Sequence, residues 1–382
     1  MTRRLAALAT LVPLLTGLLS GTPPAEAGTR LHEALRAVVA AGAPAAYAAT
    51  GTERLATGVA ELGSARPPNP RGRFRAASVT KTFVATVVLQ LAAEHKLSLD
   101  APVTDHLPSL LPYRERITLR QLLSHTSGLP RDIPHWATLP EIDTRRWARF
   151  TPEQLVHQAT NGIPLLFPPG TRFEYSNTAY TVLGLVVERV TGHSLAWELT
   201  TRLFRPLNLR DTDFPTTQPF LQHATARGYE QLHPTPAPPT DVTTYVMSRV
   251  WASGNLTTTT QDLNTFFKAL LTGHLLPPTQ LQEMKTARPN AIGPFGYGLG
   301  LMTLPSPCGG PPWWGHGGDW PGFNTWSLHA EDTTRQLTAG MTMDLTAPRE
   351  AHIAMLNQVL TAALCPGPLP RSATTITSPD LR

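Results

Sequence analysis

Two cysteines, four lysines and, past the N-terminus, no apolar run long enough to cross a bilayer set the first limits on this 382-residue chain. Neither Cys308 nor Cys365 has a partner at metal-site or catalytic spacing, which argues against a thiolate metal centre and a cysteine nucleophile. The 13 histidines are scattered without ligand spacing, so neither a metal nor an organic cofactor is implied. The net charge of +5 comes almost wholly from arginine and forms no basic stripe interleaved with aromatics. That pattern argues against nucleic acid and fits a solvated surface with at most a weak affinity for anionic cell wall. No internal repeat is present.

What the chain does have begins at its first residues. Arg3 and Arg4 precede an apolar run over residues 5–19, and Ala25-Glu26-Ala27 offers small residues for cleavage. This is the layout of a secretory signal peptide, residues 1–27, and Pro13 within the run speaks against a stable membrane insertion. The expected product is a secreted, extracellular chain starting at Gly28. In an oxidising compartment Cys308 and Cys365 can pair, which would restrict the unfolded chain by about 4 kcal/mol; two separate buried thiols are the alternative. Proline, at 38 residues, is about double its usual share, as suits a chain with many rigid turns.

Periodicity predicts a helix over residues 31–41 and a hairpin from 45–50 and 55–62. Residues 64–73 and 234–239 read as loops. Helical patterns follow over 78–94, 118–124, 178–190, 195–204 and 261–271, the first of them apolar almost all round and therefore buried. Strands are expected over 297–304, 324–330 and 336–343, with a closing helix over 351–364. Strands at both ends and helices between them give an α/β fold: an antiparallel sheet flanked by N- and C-terminal helices, with an inserted all-helical domain. The expected division is 28–95 plus 255–365 for the sheet domain, 96–254 for the helical domain, and 366–382 for a mobile tail.

The string Ala77-Ser78-Val79-Thr80-Lys81 places a serine three residues before a lysine at the start of the buried helix. Residues three apart share a helix face, so the hydroxyl and the amine can meet, and a neutral amine can take the serine proton. A helix N-terminus also offers backbone N–H groups to an oxyanion. Chance produces the spacing about 0.2 times in a chain this poor in lysine, and a lysine on so apolar a helix is a costly charge unless partnered. Tyr175-Ser176-Asn177 stands just before another helix. Its tyrosine can relay a proton and its Asn177 amide can hold a carbonyl, although Asn177 can also be read as the helix N-cap. His316-Gly317-Gly318 leads toward a strand, and glycines there let a substrate backbone lie close.

These three motifs, in this order, resemble those of the serine β-lactamase and penicillin-binding family, and in particular secreted actinobacterial D-alanyl-D-alanine carboxypeptidases. The likeness extends over residues 74–100, 117–129, 175–194, 260–271 and 297–301 and to the placement of both cysteines. It implies a β-lactamase/transpeptidase-like fold and an acyl-enzyme on Ser78. It further implies proton transfer by Lys81 and Tyr175, a substrate amide held by Asn177, and support of Tyr175 by His316. The implied oxyanion hole is the backbone N–H of Ser78 and of Asp319.

The chain departs from that pattern where such enzymes hold a free substrate carboxylate. Met302-Thr303-Leu304 and His316-Gly317-Gly318-Asp319 lack the expected arginine and both threonines, and Asp319 brings a negative charge instead. Arg249 stands where a tryptophan is expected, with Trp251 two residues on. Either Arg249 supplies a new carboxylate clamp and a D-Ala-D-Ala carboxypeptidase or transpeptidase remains, or the clamp is gone and esters or D-amino-acid amides are the acyl donors. β-Lactamase activity and an inert peptidoglycan- or β-lactam-binding protein are the other readings. Expected partners are a small peptide, ester or β-lactam and peptidoglycan, with the chain a monomer.

Overall fold

Residues 45–49, Ala-Ala-Tyr-Ala-Ala, are apolar without alternation, which suits a strand covered on both faces. In the computed structural model, which describes residues 24–365 apart from 52, 132–137 and 307, they form β1 (Ala45–Ala49), buried along its whole length. Residues 1–23 of the expected leader and the whole of the expected tail, 366–382, lie outside the described residues. The last four leader positions open α1 (Pro24–Ala40), so this helix begins well before residue 31.

β2 (Arg54–Gly58) completes the N-terminal hairpin. The remaining sheet strands come from the C-terminal part: β3 (Arg288–Ile292), β4 (Phe295–Tyr297), β5 (Met302–Leu304), β6 (Trp313–Trp320), β7 (Phe323–Ala330) and β8 (Gln336–Met341). The eight strands lie in the order β2-β1-β8-β7-β6-β5-β4-β3, each pair antiparallel. The N-terminal hairpin thus docks on the last strand, with Ala46 opposite Met341 and Ala49 opposite Thr338. This is the α/β arrangement expected from strands at both ends.

Two details of the strands differ from expectation. The expected strand over 297–304 is broken into β4 and β5, because Gly300 takes a left-handed φ of 72°. A Cβ there would stand 2.4 Å from Ala85 Cβ and 2.8 Å from the Tyr180 hydroxyl, so the break is where the sheet touches the central helix. In turn, β6 is longer than the glycine-rich sequence indicates and carries His316-Gly317-Gly318 in its interior.

α1 covers one face of the sheet together with α5, a continuous helical run built from Arg349–Ile353, Ala354–Val359 and Leu360–Leu364. Leu31, Leu35 and Val38 of α1 meet Met355, Val359 and Leu360 over Trp326 and Leu328 in one apolar cluster. At its end Cys365 is joined to Cys308 by a disulfide. On the other face lie α2 (Thr80–Ala93), α3 (Asn177–Thr191) and α4 (Thr260–Leu271). Their core includes Phe83 stacked on Phe266 at 3.6 Å between ring centroids. α3 ends at Gly192 with φ 73°, the left-handed stop that a glycine after a helix supplies. No helix among the described residues is long and apolar enough to cross a membrane.

Candidate active site

Ser78 sits one step ahead of α2, in a 3-10 turn spanning Ala77–Val79. Ala77 has φ 47°, a conformation that costs a residue with a Cβ, and such strain persists only where neighbours enforce it. Here the enforcement is visible. Ala76 N–H donates to Leu256 O at 2.9 Å, Leu256 N–H donates to Thr80 Oγ1 at 3.0 Å, and Thr80 Oγ1–H donates to Ala77 O at 2.7 Å. Ala77, Tyr245, Met247, Val250 and Trp320 close a small apolar cluster behind the turn.

Lys81 is fully buried on the first turn of α2, and its Nζ finds three acceptors. They are Ser78 Oγ at 3.0 Å, Asn177 Oδ1 at 2.8 Å and the backbone carbonyl of Ser253 at 2.8 Å. The charge that looked costly on an apolar helix is therefore matched by as many acceptors as an ammonium has protons. Asn177 takes this role and is not the cap of α3. Ser176 is, its Oγ accepting from Ala179 N at 3.1 Å and donating to Pro130 O at 2.8 Å. The Tyr175 ring is buried beside the amine, with Lys81 Nζ 4.8 Å and Arg131 Cζ 5.2 Å from its centroid, so two cations flank one aromatic π system.

The opposite wall is β6. β5 pairs with it only through Trp313, Trp314 and Gly315, so from His316 onward this edge has no strand beside it among the described residues. Instead it lies against the nucleophile turn. A Cβ added at Gly318 would fall 2.2 Å from Ala76 O and 3.0 Å from Ser78 N. The glycine is required by that approach, and it leaves the Ser78 N–H beside an open strand edge. His316 is fully buried; its Nδ1–H donates to Gly317 O at 2.6 Å, and its Nε2 lies 3.1 Å from the Tyr297 hydroxyl. Burial, with a smaller push from the Lys81 charge, lowers its pKa to about 3, so the ring is neutral at ordinary pH. Both nitrogens of His316 are engaged in this way, and its link toward Tyr175 runs through Tyr297, whose ring meets that of Tyr175 edge-on at 6.1 Å.

Asp319, next along the edge, accepts from Asn324 Nδ2 at 2.7 Å, and the same amide reaches the buried Asp344 carboxylate at 3.0 Å. The Arg249 guanidinium lies over the Phe150 ring, 5.5 Å from its centroid. Trp251 is buried with φ 26°, and a Cβ at Gly184 of α3 would come within 2.7 Å of its ring. It serves packing in the core between α2 and α3. Among the described residues no group of three or more His, Cys, Asp or Glu could hold a metal ion.

Ser253, Arg131, His125 and Tyr297 belong to the site and were not singled out from sequence. Ser253 acts through its backbone, which leaves no residue signature. The other three are placed only by tertiary packing, although His125, in a polar Ser-His-Thr-Ser run after an apolar helix, carries a faint signal.

A β-lactamase family model matches residues 30–360. The chain belongs to the β-lactamase family. It is a serine hydrolase of that family, with a β-lactamase/transpeptidase-like fold. Among solved structures it resembles a D-stereospecific amidohydrolase from Streptomyces sp., at 33% identity and a TM-score of 0.77, covering 89% of this chain and 99% of that one. The D-amino acid amidase of Ochrobactrum anthropi SV3 follows at 26% identity and a TM-score of 0.75, covering 88% and 98%. Among curated proteins, esterase EstB of Burkholderia gladioli is 38% identical over 176 residues, 44% of this chain and 44% of its own length. Protein flp of Staphylococcus aureus strain MW2 is 33% identical over 222 residues, 56% of this chain and 41% of its own length. The chain thus spans less than half the length of these curated relatives.

Proposed function

We propose that the chain is an exported D-aminoacyl amidase and esterase, which cleaves amides, esters and short peptides of D-amino acids through an acyl-enzyme on Ser78. Ser78 Oγ attacks the carbonyl carbon while its proton passes to the neutral form of the Lys81 amine, and the Tyr175 hydroxyl relays a proton onward by giving up its own as it accepts one. The carbonyl oxygen, now an oxyanion, is held by the N–H groups of Ser78 and Asp319. The proton is returned to the leaving amine or alcohol as the bond to it breaks. Water then adds to the serine ester and releases the acid, regenerating the hydroxyl. Asn177 orients Lys81 through its Oδ1 and presents its amide N–H groups to the substrate.

The observation that carries the choice of substrate is Asp319. It places a carboxylate, which accepts from Asn324, on the strand edge next to Gly318, where an added Cβ would lie 3.0 Å from Ser78 N. A substrate ending in a free carboxylate meets like charge there, whereas one bearing an ammonium meets attraction. Arg249, held over Phe150, is not needed as a clamp in this reading. The likeness to a D-stereospecific amidohydrolase and a D-amino acid amidase supports it independently. Export is supported by the leader-like first 27 residues and by the Cys308–Cys365 disulfide; a mature chain confined to the cytoplasm would remove that part.

The test compares kcat/KM on D-phenylalanine amide, its methyl ester, their L-enantiomers and a D-Ala-D-Ala peptide with a free C-terminus. The D-amide and D-ester should exceed the free-acid peptide at least tenfold, the equivalent of about 1.4 kcal/mol in the transition state. Preference for the free acid would return the chain to the carboxypeptidase reading.

A further inference from the structure

Two walls of the cleft, the segment Tyr175-Ser176-Asn177 and the edge of β6, are far apart in sequence, yet a single line of buried hydrogen bonds joins them. It begins at His125, which leaves the helix Leu119–Leu123 in the left-handed conformation, with φ 55°. His125 grips Tyr175 from both sides in the chain. Its carbonyl accepts from Glu174 N at 2.9 Å, and its Nδ1 accepts from Ser176 N at 3.1 Å. Its ring lies 4.2 Å from that of Tyr175. On the far side, His125 Nε2 stands 3.1 Å from the Tyr297 hydroxyl, which is itself 3.1 Å from His316 Nε2.

The tautomers of both histidines in this line are assigned by its ends. A backbone N–H can only donate, so His125 Nδ1 is bare and its proton sits on Nε2, given to Tyr297 Oη. A backbone carbonyl can only accept, so His316 carries its proton on Nδ1, given to Gly317 O. His316 Nε2 is then an acceptor facing the Tyr297 hydroxyl. The neighbouring Tyr180 gives its own hydroxyl proton to Leu123 O at 2.9 Å and so can only accept from Tyr297, with which it also hydrogen-bonds; the Tyr297 proton lies between Tyr180 and His316. We propose that Tyr297 is a positioning residue, whose hydroxyl ties together His125 and His316, each already set in its tautomer by a backbone group, and so holds Tyr175 and the β6 edge at fixed spacing on either side of Ser78.

The lock rests on the hydrolase reading for its use, but its geometry stands without it. All three groups are buried, at 0% exposure for both histidines and 1% for Tyr297. Burial pushes the Tyr297 hydroxyl well above its ordinary range and both imidazoles below theirs, with Lys81 and Arg131 adding to the push on His125. The pattern therefore persists at working pH. A second proton on His125 would set two donors face to face at Ser176 N, and one on His316 would turn the acceptor facing Tyr297 into a donor.

The experiment is Tyr297→Phe, which keeps the ring and removes the hydroxyl. kcat on the methyl ester of D-phenylalanine should fall on the order of 10²-fold, the scale of a small misplacement of reacting groups, while KM changes little. Alongside it, ¹⁵N NMR of histidine-labelled wild type should show His316 protonated on Nδ1 and His125 on Nε2, with both tautomers kept and both Nε2 shifts moved in the variant as their shared partner is lost. A packing role alone predicts a changed Tm with unchanged kcat, and that result overturns the proposal. So does a wild-type spectrum with His316 protonated on Nε2, a measurement that does not depend on the variant folding. A wild type inert on every ester tested, yet with the assigned tautomers, would sink the hydrolase reading and leave the lock standing.

Discussion

Replacing Lys81 by methionine should lower kcat/KM on the D-aminoacyl ester by ~10³-fold or more, the upper part of what proton-transfer groups contribute, with the fold retained. Methionine fills a similar volume in a helix whose other buried residues are mostly apolar, so packing changes little. The chemistry changes a great deal. Ser78 Oγ, Asn177 Oδ1 and Ser253 O all lose their shared donor, and no other basic group lies within bonding distance of Ser78 Oγ in the bonds described above. The energetics of folding are less one-sided. Three unsatisfied acceptors cost about 1–3 kcal/mol each in the limit of full burial, whereas removal of a buried charge offsets part of that. A Tm shift of several degrees in either direction is compatible with the account. Retention of more than a tenth of wild-type kcat/KM is not, because Ser78 would then have another base.

Gly318→Ala should be nearly as damaging, for a different reason. The added methyl carbon would lie 2.2 Å from Ala76 O, a backbone atom in a turn already fixed by the Leu256 and Thr80 bonds. Neither side can yield cheaply, so β6 must retreat from Ser78, at about 1–3 kcal/mol in stability. The retreat widens the space between the Ser78 N–H and the strand edge, where the oxyanion is held. Loss of one such donor costs about 10²–10³ in kcat, and that is the expected range. Gly51→Ala is the control, since a Cβ there meets only the Gln336 side chain at 3.8 Å. Steady-state kinetics and thermal melts on both variants separate the effects. Full activity in Gly318→Ala would mean that the close approach of strand and nucleophile is not used in catalysis.

Ser78 and Lys81 were legible in the sequence because their relation is local. Three residues on a helix meet whatever the rest of the chain does, and an apolar helix makes a lysine conspicuous. Tyr175 and Asn177 were legible as a motif, but not the assignment of the cap, which falls to Ser176. The β6 edge was harder. Gly315, Gly317 and Gly318 are poor strand formers taken singly; a Cβ at Gly315 would meet Ser327 O of β7 at 1.8 Å and one at Gly318 would meet Ala76 O of the nucleophile turn at 2.2 Å, approaches that lie far off in sequence. The same contact logic broke the expected strand at Gly300, where α2 and Tyr180 approach the sheet. The partners that lock the site, His125 and Tyr297, lie 172 residues apart, and nothing in either neighbourhood points to the other. The sheet topology was readable in outline, since apolar strands at both ends must share a core. The helical starts shifted most at α1, which begins at Pro24 instead of residue 31, and less at α2, where the 3-10 turn Ala77–Val79 precedes the regular helix.

The central claim is that the cluster around Ser78 passes an acyl group through a serine ester. It is tested most directly by rapid-quench intact-mass spectrometry during turnover of a p-nitrophenyl ester of a D-amino acid, with peptide mapping of any adduct. The account predicts a transient mass increase of one acyl group, confined to the peptide carrying Ser78 and lost in Ser78→Ala together with hydrolysis. An acyl group mapped elsewhere, or hydrolysis that persists undiminished in Ser78→Ala, would contradict it.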